Sequence, residues 1–233
     1  MKILTFSYDD GVRQDIRLCE IFRKYGMKAT FNLNSGSLGK TGRITHFGFD
    51  VCFDKMKPDE IKDLYKPEHG FEVACHGVYH KNLPTLNAEE FYNEIYTDKC
   101  ELEKLCSNVV TGGAYPCGRF DENSDARLKK CGVYYFRTVL DTHNFSIPQN
   151  FNYWHPTCHD NDDRVFELAD KFIGLDDTKD ALFYIWGHSF ELDKNDKDRW
   201  YNMEKLCEKL AGRNDIVYAT NAEAKKLLCE NMV

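Results

Sequence analysis

Segments that read as buried strands alternate with segments that read as helices along the whole chain, and this alternation constrains the fold most. Ala181 to Trp186 is almost wholly apolar, as expected of a strand covered on both faces. Met1 to Phe6, Lys28 to Asn34, Phe71 to Cys75, Val109 to Ala114, Val133 to Val139 and Ile216 to Ala219 supply further strand-like runs. The helical patterns between them have recognisable ends. Gln14 to Tyr25 spaces Ile16, Cys19, Ile21 and Phe22 helically and stops at Gly26. Pro58 opens a short helix to Lys66, and Asn87 with Glu90 forms a capping box before a long one. Asn123 to Cys131 closes at Gly132, and Asp160 opens a helix that stops at Gly174. Asp198 to Leu210 and Ala222 to Leu228 follow. Buried strands joined by helices imply a parallel sheet with helical crossovers. Seven or so such units favour a closed or nearly closed barrel over an open sheet.

At 233 residues the chain suits one domain with a substantial core, and nothing in it marks a linker. A net charge of −7 argues against nonspecific nucleic-acid binding. No apolar run approaches the roughly 20 residues of a membrane span. Asp9 and Asp10 interrupt the only apolar stretch near the start, so no leader peptide is expected. The ten cysteines are scattered, without a Cys-x-x-Cys pair, and several fall at apolar positions. The expectation is a cytoplasmic protein without disulfides.

Chemistry collects at strand ends, where a βα-barrel builds its site. Ser7-Tyr8-Asp9-Asp10-Gly11 ends the first strand. Two adjacent carboxylates are costly to bury unless a cation or donors compensate, although Asp-Asp-Gly is also ordinary turn chemistry. His76-Gly77-Val78-Tyr79-His80 follows one later strand, Tyr115-Pro116-Cys117-Gly118 another, and His188 a third. Two histidines four apart aim both imidazoles at one cation if the segment turns helically. With one carboxylate they make a His₂-Asp site open to water and substrate, as in hydrolytic metal centres. His155 and His159 form a second such pair, but Pro156 disfavours a helical turn between them, so His76 and His80 are preferred. Zinc is the default ion, and cobalt, nickel or manganese suit the same donors.

The order Ser-Tyr-Asp-Asp-Gly, Glu72 through His80, Ala114-Tyr115-Pro116-Cys117-Gly118 and His188 resembles the polysaccharide deacetylase family, or NodB-homology domain. The resemblance covers most of the chain. It implies an α/β fold, a distorted (β/α)7-type barrel in a single domain taken as residues 1–233, and metal-dependent hydrolysis of acetyl groups on sugars. Carried over by position, Asp9 matches the general base, and Asp10, His76 and His80 match the metal ligands. His188 matches the general acid, and the Cys117 N–H an oxyanion donor beside Tyr115.

The family's third motif usually begins with an arginine that orients the base, where this chain has Ala114; a subgroup reads Ala-Tyr-Pro-x-Gly. Arg137, at the end of its strand, is either the replacement guanidinium for Asp9 or an ordinary ion-pair residue. Trp154, His155 and His159 are candidates to line the substrate groove. Ser35 to Lys57, with His46 and Phe47, is the least regular stretch and is either a loop at the site or a surface excursion. The expected substrate is an N-acetylated carbohydrate or a related small-molecule amide. The competing readings are an amidase of cyclic ureides, an O-acetyl esterase and a non-catalytic carbohydrate-binding protein. Nothing in the sequence sets an oligomeric state.

Overall fold

The first strand, β1 (Lys2–Asp9), is buried at every position because it lies in the middle of a parallel sheet. The computed structural model describes residues 1–230 apart from 46, 47, 49, 177, 178 and 195–197. β2 (Ala29–Leu33) follows α1 (Asp15–Tyr25), whose end is set by Gly26 at φ +68°. β3 (Arg43–Ile44) and β4 (Val51–Cys52) form a small antiparallel pair outside the main sheet. α2 (Pro58–Leu64) leads to β5 (Phe71–Cys75), and α3 (Ala88–Cys106) to β6 (Gly112–Ala114). α4 (Ser124–Lys130) precedes β7 (Tyr135–Arg137), and β8 (Cys158–His159) precedes α5 (Val165–Ile173). β9 (Ala181–Gly187), α6 (Arg199–Leu210), β10 (Ile216–Tyr218) and α7 (Asn221–Glu230) complete the chain.

The sheet runs β7-β6-β5-β2-β1-β9-β8, with β10 also paired to the start of β1. Every pair in it is parallel, so the carboxyl ends of the strands gather at one end of the domain. The stretch from Trp154 to His159 joins the two edges. Trp154 N–H donates to Phe136 and Thr138 N–H to Trp154, while Thr157 N–H donates to Tyr184 on β9. This curls the sheet into the distorted barrel expected from the alternation of elements.

β9 shows why the apolar run was needed. Leu182 and Tyr184 pack inside with Ile3, Tyr135 and Trp154, whereas Phe183 and Ile185 face the helices with Phe172 and Leu18. Successive side chains of a strand point to opposite faces, so covering both demands apolar residues throughout.

Several boundaries differ from the sequence reading. Val109 is exposed and β6 begins only at Gly112; Cβ atoms at Gly112 and Gly113 would collide with the Tyr135 and Phe136 rings, so this strand needs glycine at both positions. Asp160 does not cap α5. It is buried and accepts a hydrogen bond from Tyr8 Oη at 2.8 Å, and the helix starts at Val165. The irregular stretch returns to the strand ends through Lys55, which is buried; His46 and Phe47 lie outside the described residues. All ten cysteines are free. No helix among the described residues is long and apolar enough to cross a membrane.

Candidate active site

Asp9 and Asp10 separate at the end of β1. Asp9 is the last strand residue, in register with Asn32, whereas Asp10 has φ +82° and turns away. The pair therefore has two environments. Asp9 Oδ1 accepts from Asn32 Nδ2 at 2.8 Å, and Asp9 Oδ2 accepts from Arg137 Nη2. His76 Nε2 and His188 Nε2 lie 3.7 and 3.9 Å from the same oxygen. Burial raises the carboxyl's pKa, but Arg137 and the two imidazoles outweigh it and hold Asp9 well below the usual carboxylate range. Arg137 is itself fully buried, donates to the Thr138 carbonyl at 3.0 Å and lies over the Trp186 ring.

Asp10 meets a different cation. Lys55 Nζ lies 3.1 Å from Asp10 Oδ1 and donates to the Asp10 carbonyl at 2.6 Å. Burial again raises the carboxyl, and Lys55 leads the groups that lower it, for a net downward shift. No motif or spacing pointed to Lys55, since its approach depends on how the irregular segment folds back.

One carboxylate oxygen of Asp10 and one nitrogen each of His76 and His80 lie within 4.8 Å of one another. The segment from His76 to His80 is not helical, so the condition attached to their four-residue spacing is not what brings them together. Gly77 at φ +76° and His80 at φ +56° bend it instead, bringing the rings to 4.7 Å. A side chain at Gly77 would strike Glu94 Oε1, which accepts from Tyr79 N–H at 2.7 Å.

His76 is held in a single tautomer. Its Nδ1 is 2.8 Å from the Ala114 carbonyl, which can only accept, so that nitrogen carries the proton. The lone pair then sits on Nε2, which is buried without a hydrogen-bond partner. Burial depresses the imidazole to about 4 despite Asp9, keeping it neutral. An orphaned imidazole nitrogen beside an ionised carboxylate and a second histidine fits a divalent cation.

His188 follows β9 and is held from its other side. Its Nδ1 lies 3.1 Å from Glu191 Oε1. The second oxygen of Glu191 accepts from Asn161 Nδ2 at 2.9 Å and lies 3.4 Å from His159 Nε2. Burial opposes a charge on His188, but Glu191, Asp9 and Asp10 prevail and push it up to about 9. Glu191 was missed in the sequence, although a carboxylate three residues after a histidine in a tight turn is a readable signal.

The remaining candidates are placed as follows. Cys117 is exposed at φ +54°, with Sγ 4.0 Å from His80 Nδ1. Tyr115 is buried, its Oη donating to the Asn152 carbonyl at 2.7 Å, so its side chain supports the core and does not face a ligand. Trp154 is fully buried among Tyr135, Phe151 and Tyr184, so it has no face for a sugar. The expectation that it lines a groove is corrected: the apolar contacts that close the barrel claim it. His155 and His159 do not converge. His155 Nδ1 is 2.6 Å from Thr138 Oγ1, and its ring borders a 360 Å³ cavity with Asn144, Gln149 and Tyr153. His159 is flanked by Asp160 and Glu191, which overcome burial and raise its pKa.

A curled parallel sheet with histidines and carboxylates gathered at its strand ends defines a βα-barrel with its candidate site at one end. Residues 1–136 match the family model for polysaccharide deacetylase, and the chain belongs to that family. YxkH of Bacillus subtilis, a polysaccharide deacetylase by name, is 24% identical over 132 residues, 56% of this chain. The chain spans only 42% of that relative's length. Among solved structures, the peptidoglycan deacetylase PdaC of Bacillus subtilis superposes with a TM-score of 0.57 at 15% identity, covering 99% of this chain and 93% of the other. A family 4 carbohydrate esterase from Streptomyces lividans, solved with acetate, gives 0.56 at 13% identity, covering 92% and 90%. At these identities the likeness is one of fold.

Proposed function

We propose that this protein is a metal-dependent deacetylase that hydrolyses the acetamido group of an N-acetylated sugar or oligosaccharide, and that it belongs to the Ala-Tyr-Pro-x-Gly subgroup. The observation that carries the reading is the orphaned Nε2 of His76, beside Asp10 and His80 and 3.7 Å from a carboxylate held by arginine. Asp10, His76 and His80 would hold the ion, zinc by default. A divalent cation there supplies a Lewis acid and lowers the pKa of water into the neutral range.

The chain's own groups do the rest. Asp9 is ionised and fixed by Arg137 and Asn32, and it takes the proton of the attacking water. The left-handed turn at Cys117 offers its N–H to the developing oxyanion. His188, protonated at neutral pH, gives its Nε2 proton to the departing nitrogen while Glu191 holds Nδ1. Water and amide become acetate and free amine.

The test is elemental analysis of the purified protein together with acetate release from matched N-acetyl and O-acetyl sugars. Bound divalent metal, with chelator-sensitive and metal-restored release from the N-acetyl series, is expected. Release from the O-acetyl series alone would make the protein an esterase. Protein that neither holds metal nor releases acetate after reconstitution would make it a binding module.

A further inference from the structure

We infer that His159, His188 and Glu191 form a second divalent-cation site, for a zinc-like ion, whose occupancy withdraws His188 from its role as acid. The three residues come from the end of β8, the end of β9 and the turn that follows β9. One ligand atom from each lies within 4.8 Å of the others, and none of the three belongs to the group of Asp10, His76 and His80. The nitrogens that face Glu191 are His188 Nδ1, 3.1 Å from Oε1, and His159 Nε2, 3.4 Å from Oε2. The His188 contact lies off the line of a hydrogen bond, which leaves Nδ1 buried without a hydrogen-bond partner. Two imidazoles and a carboxylate are a donor set that zinc accepts, whereas magnesium and calcium prefer oxygen throughout. All three side chains are partly exposed, so an ion reaches them from solvent.

The donors are held in place by their surroundings. Trp186 packs edge-on against His159 with ring centroids 4.6 Å apart, and it lies 5.8 Å from the His188 ring. Its indole N–H is anchored on Asp141 at 2.7 Å, and the other oxygen of Asp141 accepts from His159 N–H at 3.1 Å. Asn161 Nδ2 fixes the Glu191 carboxylate at 2.9 Å. Behind His159, Asp160 Oδ1 is buried, makes no hydrogen bond and stands 3.0 Å from Nδ1. Asn161 N–H also donates to Nδ1, at 3.0 Å; an ion on Nε2 instead fixes the ring proton there, facing Asp160 Oδ1. A carboxylate behind a histidine is the usual outer partner of a metal-bound imidazole. As the ion bonds to His188 Nδ1, His159 Nε2 and a Glu191 oxygen, the protons on those two nitrogens pass to solvent. His188 is then neutral. It keeps the Nε2 proton beside Asp9 but has lost the positive charge that lets it give that proton up.

The test is zinc binding by equilibrium dialysis at neutral pH, with acetate release followed over the same zinc series. The wild type is expected to take up a second ion roughly tenfold more weakly than the first, because protons must leave as it binds. Acetate release should fall about 100-fold as that second ion binds, the loss of a general acid. Asp10→Ala should keep only the weaker ion. His159→Gln and Glu191→Gln should each keep only the tighter one, which also shows that they have folded, and His159→Gln should no longer be inhibited by excess zinc. Magnesium at the same concentrations should leave release unchanged. A wild type that stops at one ion, or a second ion that survives both substitutions, overturns the site. A second ion that binds while acetate release stays within about threefold overturns its hold on His188. The dialysis result decides the site whether or not acetate is released, so failure of the deacetylase reading and failure of this site are told apart.

Discussion

Arg137 Nη2 closes on Asp9 Oδ2 from 128 residues away, although three strands separate β7 from β1 in the sheet. Both side chains are buried, so the contact exists only because the sheet curls. It puts a guanidinium on the candidate base while position 114 keeps a small residue whose carbonyl orients His76.

Removing that guanidinium leaves a buried carboxylate uncompensated. Arg137→Ala is expected to destabilise the fold by about 3–5 kcal/mol and to lower acetate release about 100-fold, with metal content unchanged. Arg137→Lys should recover stability better than turnover, since an ammonium keeps the charge but not the fork. Denaturation, turnover and metal analysis of the two variants decide the matter, and intact turnover in Arg137→Ala would remove Arg137 from the site.

The two aspartates should fail differently. Asp10→Ala is expected to lose metal affinity, because one of the three proposed ligands is gone. Asp9→Asn is expected to retain the metal and lose turnover, because it keeps the shape beside Asn32 and Arg137 but takes no proton. Metal stoichiometry on both proteins separates the roles; an Asp9→Asn protein stripped of metal would reverse them.

Lys55 and a bound metal ion would compete for the Asp10 carboxylate. Lys55→Met should lower the melting temperature of metal-free protein, since Asp10 is left buried without its cation. The same variant should bind the metal on the order of tenfold more tightly and gain more in melting temperature on metal addition than the wild type. Equal gains would mean that the ammonium swings clear at no cost.

Glu191 should set the alkaline limit of activity. His188 is pushed up to about 9, above the imidazole's ordinary 6.5. Its charge therefore contributes fully to stability below about pH 6.5, and the contribution is lost as the pH rises through about 9. Glu191→Gln keeps the size and removes the charge. The alkaline limb of the rate profile is expected to move down by about one unit, while the acid limb stays in place. A limb that does not move would show that another group donates the proton.

The motifs lying at strand ends could be read because each is short and local, and because a strand's apolar character is written in consecutive residues. Asp9, Asp10, His76, His80 and His188 needed only strand prediction and the rule that parallel strands share one end. The overreach was Trp154, chosen as an aromatic near histidines, when a ring of that size is the natural filler for a closing barrel. Asp160 misled in the same way, since a good capping residue was drawn into the core by Tyr8.

The sequence by itself determined the alternation of elements, the parallel sheet and which candidate residues stand at the strand ends, since all are encoded within a few neighbouring positions. The tertiary structure alone decided that Arg137 holds Asp9 and that Lys55 lies against Asp10. Those contacts join residues that sequence separation does not relate. Their strength comes from burial and charge, which exist only after the sheet has curled and the irregular segment has folded back upon the strand ends.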